Sequence, residues 1–326
     1  MARALVTGAA GFIGFHLVRA LAARGHSVVA VDNLVRGERD DAFIDLMKQP
    51  GVTWIEADLS RESEVASLPT DVETVYHLAA LNGTQNFYER PMDVIRSCTL
   101  PTFFLAEAFR DAPLKRFVYA GTSESYASTV TRFGWPVPTA EDVPLSIDGV
   151  DNPRWSYAAS KMHGEVVTIQ AGRSYGFPWS VIRYHNAYGP RMGDRHVVPD
   201  FMMRMREQRY ELFGHADTRS FLYIDDAVRA TIAVGESEDC AGEIVNVGGT
   251  DEVTMHDLAR HMMATRQIDA PIVLHPSPAG SVPRRAPDIS KLQRLTGFAP
   301  RVGLDRGLAA TADYYLDGQL AGVLDA

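Results

Sequence analysis

The feature that most constrains the fold is a glycine-rich turn near the start of the chain. Ala4–Thr7 is predicted to be a short strand, and a helix is predicted over about Phe12–Arg24. Between them, Gly8 allows the tight turn, Gly11 lets the backbone approach a pyrophosphate, and Gly14 lets helix and strand pack closely. The helix N-terminus adds free N–H groups and the positive end of its dipole. The turn predicts a parallel α/β sheet with a dinucleotide at its edge.

The first half of the chain continues the alternation of strands and helices. Further strands are predicted at Ser27–Asp32, Thr53–Ala57, Thr74–Ala79, Arg116–Gly121 and Trp179–Tyr184, and helices near Ile95–Phe109 and Ser156–Tyr175. Val28–Val31 is apolar throughout, as expected of a strand covered by helices on both faces. We therefore predict a Rossmann-type doubly wound parallel sheet. The prolines between Pro271 and Pro300 indicate a smaller C-terminal α/β lobe.

Composition excludes several classes of function. The 326 residues include 32 Lys and Arg against 41 Asp and Glu, and a net charge of −9 disfavours a nucleic-acid partner. Cys98 and Cys240 have neither zinc-site nor disulfide spacing, so we predict no metal and a reducing, cytoplasmic location. No apolar window approaches the roughly 20 residues that cross a bilayer, and no signal peptide is recognised at the N-terminus. No membrane partner is expected.

A carboxylate at the end of the second strand identifies the dinucleotide. Asp32 follows the glycine turn by about 20 residues, where its oxygens can accept hydrogen bonds from the adenosine ribose hydroxyls. We predict NAD as the cofactor; the alternative is a structural turn with an unrelated aspartate. Asp58 closes the third strand, where it is expected to bind the adenine amino group, to cap the next helix, or both.

Tyr157 and Lys161 are four residues apart in a predicted helix, so both side chains project from one face. A phenol with an ordinary pKa near 10 is a poor base at neutral pH, but a nearby ammonium favours the phenolate. On an isolated helix such a pair is usually solvent-exposed and without function. Beside a dinucleotide turn, it predicts an acid/base pair.

Several motifs together resemble one family. TGAAGFIG (7–14), HLAA (77–80), SYAASK (156–161), NAYGPR (186–191), RSFLYIDD (219–226), NVGG (246–249) and RAPDISK (285–291) resemble the extended short-chain dehydrogenase/reductases, in the branch of nucleotide-sugar epimerases, dehydratases and decarboxylases. The resemblance spans almost the whole chain. It implies a nucleotide-diphosphate sugar as substrate and a homodimer built from two helices of the Rossmann side. It also implies an NAD-binding domain at 1–184 and a mainly sugar-binding lobe at 185–326, with segments around 220–250 returning to the first domain.

The predicted site residues fall into three groups. Cofactor contacts are predicted for Gly8, Gly11, Phe12, Ile13, Gly14, Asp32, Asn33, Asp58, Leu59, Ala79, Tyr157 and Lys161. Substrate contacts are predicted for Thr84, Ser123, Asn186, Arg191, Arg219 and Arg285. Catalytic roles are predicted for Thr122, Tyr157, Lys161 and Glu124. The resemblance assigns Asn186, Arg219 and Arg285 to the sugar and diphosphate, and guanidinium groups suit diphosphate oxygens.

The strand that ends at Gly121 is followed by Thr122, Ser123 and Glu124. The resemblance gives Thr122 the task of orienting the oxidised hydroxyl. Ser123 stands where sugar 4,6-dehydratases carry an acid, and a serine cannot protonate a departing hydroxyl in the same way. Glu124 is expected either to assist the reaction or to remain a solvated or capping carboxylate. His77 is expected to be structural, and no role is assigned to His185 or His196.

The first hypothesis is therefore an NAD-dependent nucleotide-sugar 4-epimerase. Tyr157 takes the C4 hydroxyl proton while hydride passes to NAD, and the transient 4-keto sugar receives the hydride on its other face. The alternative is a UDP-hexuronate decarboxylase, with Arg191 or Arg195 on the carboxylate and Glu124 assisting; a dehydratase is less favoured. A non-catalytic NAD sensor is a remote alternative, because the catalytic set is intact. The segment Asn82–Tyr88 departs from the patterns of the better-known relatives and is expected to be a turn, a sugar contact, or both.

Overall fold

The computed structural model describes residues 2–193, 196–277, 281–320 and 322. The strands are β1 Arg3–Thr7, β2 Ser27–Asp32, β3 Val52–Glu56, β4 Thr74–His77, β5 Arg116–Thr122, β6 Trp179–Tyr184, β7 Ala187–Tyr188, β8 Glu211–Phe213, β9 Thr218–Ser220, β10 Leu222–Tyr223, β11 Glu243–Val247, β12 Glu252–Thr254, β13 Val273–His275 and β14 Arg284–Arg285. The helices are α1 Phe12–Ala23, α2 Asp41–Met47, α3 Glu62–Val65, α4 Thr84–Glu89, α5 Pro91–Ala108, α6 Ala127–Phe133, α7 Trp155–Tyr175, α8 Val197–Arg206, α9 Ile224–Glu236, α10 Met255–Ala264, α11 Ser290–Thr296 and α12 Leu304–Asp317. Single 3₁₀ turns form at Ser123–Tyr126 and Glu238–Cys240.

Within the described residues, seven strands form one sheet in the order β11-β6-β5-β4-β1-β2-β3, and every neighbouring pair is parallel. The chain direction across the sheet reverses between β1 and β4, so the loops after these two strands diverge and leave a crevice. The predicted Rossmann-type doubly wound sheet is confirmed. Shorter pairings, β7 with β10, β8 with β13, and β9 with β12 and β14, lie outside this sheet.

Both faces of the sheet are buried, as the apolar strands predict. In β2, Val28 and Ala30 belong to one hydrophobic cluster, whereas Val29 and Val31 belong to another on the opposite face. The first cluster includes α1, α9 and the apolar sides of α8, α10 and α12, and the second includes α5 and α7. One continuous core therefore joins the Rossmann sheet to the helices that follow β7.

Predicted and observed boundaries agree best where the apolar run itself ends. The predicted bounds of β2 and β6 match the structure, whereas β4 stops at His77, two residues early. The helix expected from Ile95 begins at Pro91, because a proline is well suited to the first helical position, where no N–H bond is lost. The segment after β6 contains β7, and Arg195, the alternative carboxylate contact, lies outside the described residues. No helix in the described part of the chain is long and apolar enough to cross a membrane.

A buried ion pair fixes α7 against the sheet. Arg183 of β6 donates to both carboxylate oxygens of Glu165 on α7, at 2.7–3.2 Å, and each side chain is 4% exposed. Arg183 also donates to the Tyr126 hydroxyl at 2.7 Å, and that hydroxyl donates to Asn246 Oδ1 at 3.0 Å. The Asn246 side-chain amide donates a hydrogen bond to the carbonyl oxygen of Asp288 at 3.1 Å. The network connects α7, β6 and β11 to the segment that follows β14.

Breaking this pair should be costly because the remaining charge stays buried without a partner. We expect Arg183→Met to lower the free energy of unfolding by about 3–5 kcal/mol, measured by chemical denaturation. The matched control is Arg24→Met, which removes the half-exposed Arg24–Glu236 pair and should cost less than about 1 kcal/mol. Equal losses from the two substitutions would contradict the assignment.

Candidate active site

A cleft of about 440 Å³ opens at the carboxyl ends of β1, β2, β4, β5 and β6. Of the predicted cofactor, catalytic and substrate residues, all but Arg219 line it. The cleft is continuous from the glycine turn through the Tyr157–Lys161 pair to Arg285. Sequence positions almost 280 residues apart thus contribute to one site, as expected at the switch point of an open α/β sheet.

Backbone forms the floor of the cleft at the glycine turn. Gly8 has φ +71°, and a Cβ there would lie 2.9 Å from the Ala79 nitrogen. A Cβ on Gly14 would overlap the Gly8 carbonyl oxygen. The Thr7 hydroxyl accepts hydrogen bonds from the N–H groups of Leu78 and Ala79 at 3.1 Å, which joins the loops after β1 and β4. The turn leaves no room for side chains where a pyrophosphate would approach α1.

Asp32 is held with its carboxylate at the cleft. One oxygen accepts the Ala10 N–H at 3.0 Å and the other accepts the Leu34 N–H at 2.8 Å. Burial raises the pKa of Asp32, and these backbone hydrogen bonds oppose that rise. Because a carboxylate offers about four acceptor positions, each oxygen keeps capacity for a ribose hydroxyl. The residues present therefore fit the adenosine end of NAD.

Asp58 does not cap the next helix. Its Oδ1 accepts the N–H and the hydroxyl of Ser60, at 3.0 and 2.8 Å, and α3 begins only at Glu62 after Arg61. The capping alternative is therefore wrong, because a local turn over residues 59–61 separates the carboxylate from the helix. Asp58 lines the cleft, and its contact with adenine stays a prediction.

Thr122, Tyr157 and Lys161 meet in the centre of the cleft. The Thr122, Tyr157 and Lys161 side chains all line it; the Thr122 hydroxyl accepts the Glu124 N–H at 3.2 Å, and the Lys161 Nζ lies 4.7 Å from the centre of the Tyr119 ring. Burial raises the pKa of Tyr157, which the nearby Thr122 hydroxyl opposes, and burial lowers the pKa of Lys161. Burial thus shifts both groups toward their neutral forms.

Glu124 is surrounded by arginines from distant parts of the chain. Arg285 donates to its carboxylate at 2.7 Å, and Arg154 lies 3.5 Å from it. Burial alone would raise the pKa of Glu124, but the charges of Arg285, Arg154 and Arg219 together lower it. Glu124 is therefore an ionised counter-ion in this structure.

Three substrate predictions have other partners in the structure. Arg219 donates to the carbonyl oxygens of Thr218 and Pro283, and burial followed by the charge of Arg285 lowers its pKa to about 10. The Arg191 guanidinium lies 4.0 Å above the Phe15 ring and pairs with Asp40. The Asn186 amide donates to the Ser220 carbonyl at 3.0 Å. Their contacts with substrate stay predictions.

The three histidines considered in the sequence analysis lie in different surroundings. His77 lies between the hydroxyls of Thr7 and Thr102, and burial lowers its pKa to about 3. His185 is buried against Asn246, and burial likewise lowers its pKa to about 3. His196 lies 3.5 Å from Arg36 at the edge of the cleft. In the described part of the chain, no group of three or more His, Cys, Asp or Glu side chains could hold a metal ion.

Sequence reasoning missed two residues of the site. Arg154 precedes Tyr157 by three residues and Lys161 by seven, which is the spacing of one helical face and was the available signal. Phe87 stacks on Tyr157 and lines the cleft. It had no local signal, because its partner is 70 residues away.

Together, the dinucleotide turn, the strand-end carboxylate and the Thr–Tyr–Lys set define a Rossmann-fold enzyme that handles a hydroxyl beside a nicotinamide cofactor. The chain belongs to the NAD dependent epimerase/dehydratase family, whose model matches residues 4–248. The predicted family resemblance is thereby confirmed, and NAD is the cofactor of this family.

Relatives with different reactions are similarly close. A UDP-N-acetyl-alpha-D-glucosaminuronate decarboxylase from Bacillus cytotoxicus is 32% identical over 96% of this chain and 97% of its own. A UDP-glucose 4-epimerase from Mycolicibacterium smegmatis is 31% identical over 96% and 98%. The crystal structure of a UDP-glucuronic acid 4-epimerase from Bacillus cereus, in complex with UDP-glucuronic acid and NAD, has a TM-score of 0.87 and 27% identity, covering 97% of this chain and all of the other.

The geometry at Asp32 predicts a preference between cofactors. We expect NAD to bind at least about tenfold more tightly than NADP, because the carboxylate repels a 2′-phosphate and accepts the ribose hydroxyls. Asp32→Asn should narrow the difference, whereas Asp58→Asn, a carboxylate change in the same cleft, should affect both cofactors alike. Calorimetry on cofactor-stripped protein measures this, and similar dissociation constants for NAD and NADP in the wild type would contradict it.

Proposed function

We propose that this protein is an NAD-dependent nucleotide-sugar 4-epimerase that acts through a transient 4-keto sugar. One observation carries the proposal: a single cleft joins the glycine turn, the Thr122–Tyr157–Lys161 set and Arg285. A substrate whose diphosphate lies toward Arg285 can place its sugar beside Tyr157. NAD, when bound, supplies the hydride acceptor and donor for C4 of the sugar.

The chain's own residues move and hold the proton. Tyr157 takes the proton of the C4 hydroxyl, and later returns it to the C4 oxygen of the epimer. Thr122, which lines the same cleft, orients the sugar oxygen toward the phenol. Lys161 lies one turn further along α7, and in its protonated form it favours the phenolate, against the effect of burial. The second half of the reaction reverses the first, so no additional acid or base is required.

The arginines around Glu124 support an anionic substrate. Arg154, Arg219 and Arg285 all act on the Glu124 carboxylate, so positive charge is concentrated here in a protein of net charge −9. Guanidinium groups bind phosphate oxygens with charge-assisted hydrogen bonds. A nucleotide diphosphate, with an anionic group on each phosphorus, matches that charge. If the sugar is a neutral hexose, the diphosphate is the anionic part of the sugar-diphosphate end, and the arginines can pair with it.

Two side chains after β5 disfavour elimination of water. Ser123 is buried at the cleft and is not an acid at neutral pH. Glu124 is held ionised by its arginines and therefore has no proton to donate to a departing hydroxyl. Epimerisation at C4 uses neither group as an acid, whereas a 4,6-dehydratase needs one.

A decarboxylase is the second candidate, and the Glu124–Arg285 contact favours it. The 4-ketone of a hexuronate is a β-keto acid, which loses carbon dioxide when its carboxylate is positioned for cleavage. Arg285 faces the cleft at 2.7 Å from Glu124 and could exchange that carboxylate for the substrate's. The similarity to the Bacillus cytotoxicus decarboxylase agrees with this alternative.

We also propose a homodimer through α5 and α7. These helices pack against each other, and Ile95 and Phe103 of α5 and Val166 of α7 remain exposed. Apolar side chains of this size on adjacent helices are typical of a surface that a second copy covers.

Removing the phenolic oxygen of Tyr157 should abolish catalysis without loss of cofactor. We expect Tyr157→Phe to lower kcat by about 10²–10⁴, the usual contribution of a positioned acid/base group, with NAD content unchanged. Tyr175→Phe is the matched control, since Tyr175 ends the same helix with its hydroxyl on Glu107 and should retain full activity. Near-normal kinetics in Tyr157→Phe would place the proton transfer on another residue.

The reaction type can be measured from the product's mass. The enzyme is to be incubated with UDP-, GDP-, ADP- and dTDP-sugars, both hexoses and hexuronates, and the products analysed by mass spectrometry and NMR. We expect the product to be an isomer of the substrate. Glu124→Gln should then change kcat by less than about tenfold, because this carboxylate holds arginines and does not exchange protons. A product lighter by one carbon dioxide, formed at a comparable rate and lost in Glu124→Gln, would replace the epimerase with the decarboxylase.

A further inference from the structure

The segment Asn82–Tyr88 borders the cleft, where Asn82, Gly83, Thr84 and Phe87 line it. In the structure, Gly83 has φ +109° and starts α4, a helix of six residues over the cleft. The turn is closed by the Asn86 side-chain amide, which donates to the Asn82 carbonyl at 2.8 Å. This geometry turns Phe87 inward, whereas Tyr88 remains half exposed.

Phe87 lies directly against the proposed acid/base residue. Its ring and that of Tyr157 are stacked with centroids 5.2 Å apart and planes 14° from parallel. Phe87 is 6% exposed and Tyr157 8%, and both belong to a small apolar cluster with Leu81, Val94 and Cys98. This cluster is separate from the two cores that flank the sheet. Phe87 therefore belongs to the packing of the site and not to the packing of the fold.

Resting on the proposed role of Tyr157, we propose that Phe87 is a positioning residue whose ring fixes the orientation of the Tyr157 phenol and keeps water from one of its faces. An offset-stacked aromatic pair restricts rotation of both rings. A near-parallel neighbour covers one face of the phenol ring and leaves its edge and hydroxyl accessible from the cleft, which both residues line.

The exclusion of water has a measurable consequence for the phenol. Burial is the largest cause that raises the pKa of Tyr157. The ionisable and hydrogen-bonding groups that face it are Cys98 of α5, Tyr119 and Thr122 of β5, Glu124 of the following 3₁₀ turn, Arg36 of the loop after β2, and Lys161 of its own helix. Because Phe87 contributes bulk without charge, its loss admits water and leaves these groups in place. The pKa of Tyr157 should then fall.

The direction of the pH effect follows from the mechanism. The phenolate is the active base, so activity falls on the acid side as Tyr157 becomes protonated. A lower pKa moves this acid limb to lower pH, while the loss of orientation reduces kcat at every pH. A purely structural role predicts the opposite combination: lower stability with an unchanged pH profile.

The experiment compares Phe87→Leu with three variants in the full-length, NAD-loaded enzyme. We expect Phe87→Leu to lower kcat about tenfold or more and to move the acid limb down by at least about half a pH unit, with KM and NAD content within about twofold. Phe87→Tyr should retain the wild-type kcat and the wild-type acid limb, because it keeps the stacked ring. Tyr88→Leu, an aromatic-to-leucine change in the same helix, should match the wild type. Phe87→Met replaces the leucine variant if that protein does not fold.

A second readout does not depend on turnover. The difference in tyrosinate absorbance between a protein and its Tyr157→Phe counterpart reports ionisation of this one phenol, and it should occur at lower pH in the Phe87→Leu background. An unchanged titration and an unchanged acid limb would overturn the inference. If Tyr157→Phe itself retained full activity, the proposed catalytic role would fail, and the absorbance titration would still decide the effect of Phe87 on the phenol.

Discussion

The site depends on the ion pair between Arg183 and Glu165. Tyr157, Lys161 and Glu165 follow one another at intervals of four residues on α7, so they share one face of the helix. Because Arg183 of β6 binds Glu165, the ion pair fixes the rotation of α7 and thereby the positions of Tyr157 and Lys161 at the cleft. Through Tyr126 and Asn246, the same network reaches the carbonyl of Asp288, three residues after Arg285. One buried network thus connects the helix that carries Tyr157 and Lys161 to the segment that follows Arg285.

Burial acts on the charged groups of this site in two ways. Burial raises the pKa of Tyr157 and lowers that of Lys161, and both changes favour the neutral form of the side chain. Glu124 stays ionised, because arginines from three separate segments compensate its burial. The site thereby separates two groups that burial shifts toward neutrality from a cluster that holds charge. The field close to this cluster of arginines outweighs the diffuse negative charge of the protein surface, which suits the proposed anionic substrate.

Sequence reasoning succeeded where one segment carries the whole signal. The turn at Gly8 and the pair Tyr157–Lys161 are local patterns, and the structure places both at one cleft; the apolar strands imply a sheet covered on both faces. It failed where the structure depends on long-range packing. The turn after β3 that frees Asp58 from capping, and the inward rotation of Phe87 over α7, are decided by neighbours that no window of sequence contains. Arg154 was within reach, since its spacing from Tyr157 is helical.

The choice of reaction is separated physically from the choice of fold. Epimerisation, decarboxylation and dehydration share the first proton and hydride transfers, so the Rossmann sheet, Thr122 and the Tyr157–Lys161 pair suit all three. The three reactions differ in what happens to the ketone, and the side chains proposed to affect that step are Ser123 and Glu124, which follow β5. Glu124 is held by Arg285 of β14, so its availability for either reaction depends on a residue 161 positions away that a substrate anion could also bind.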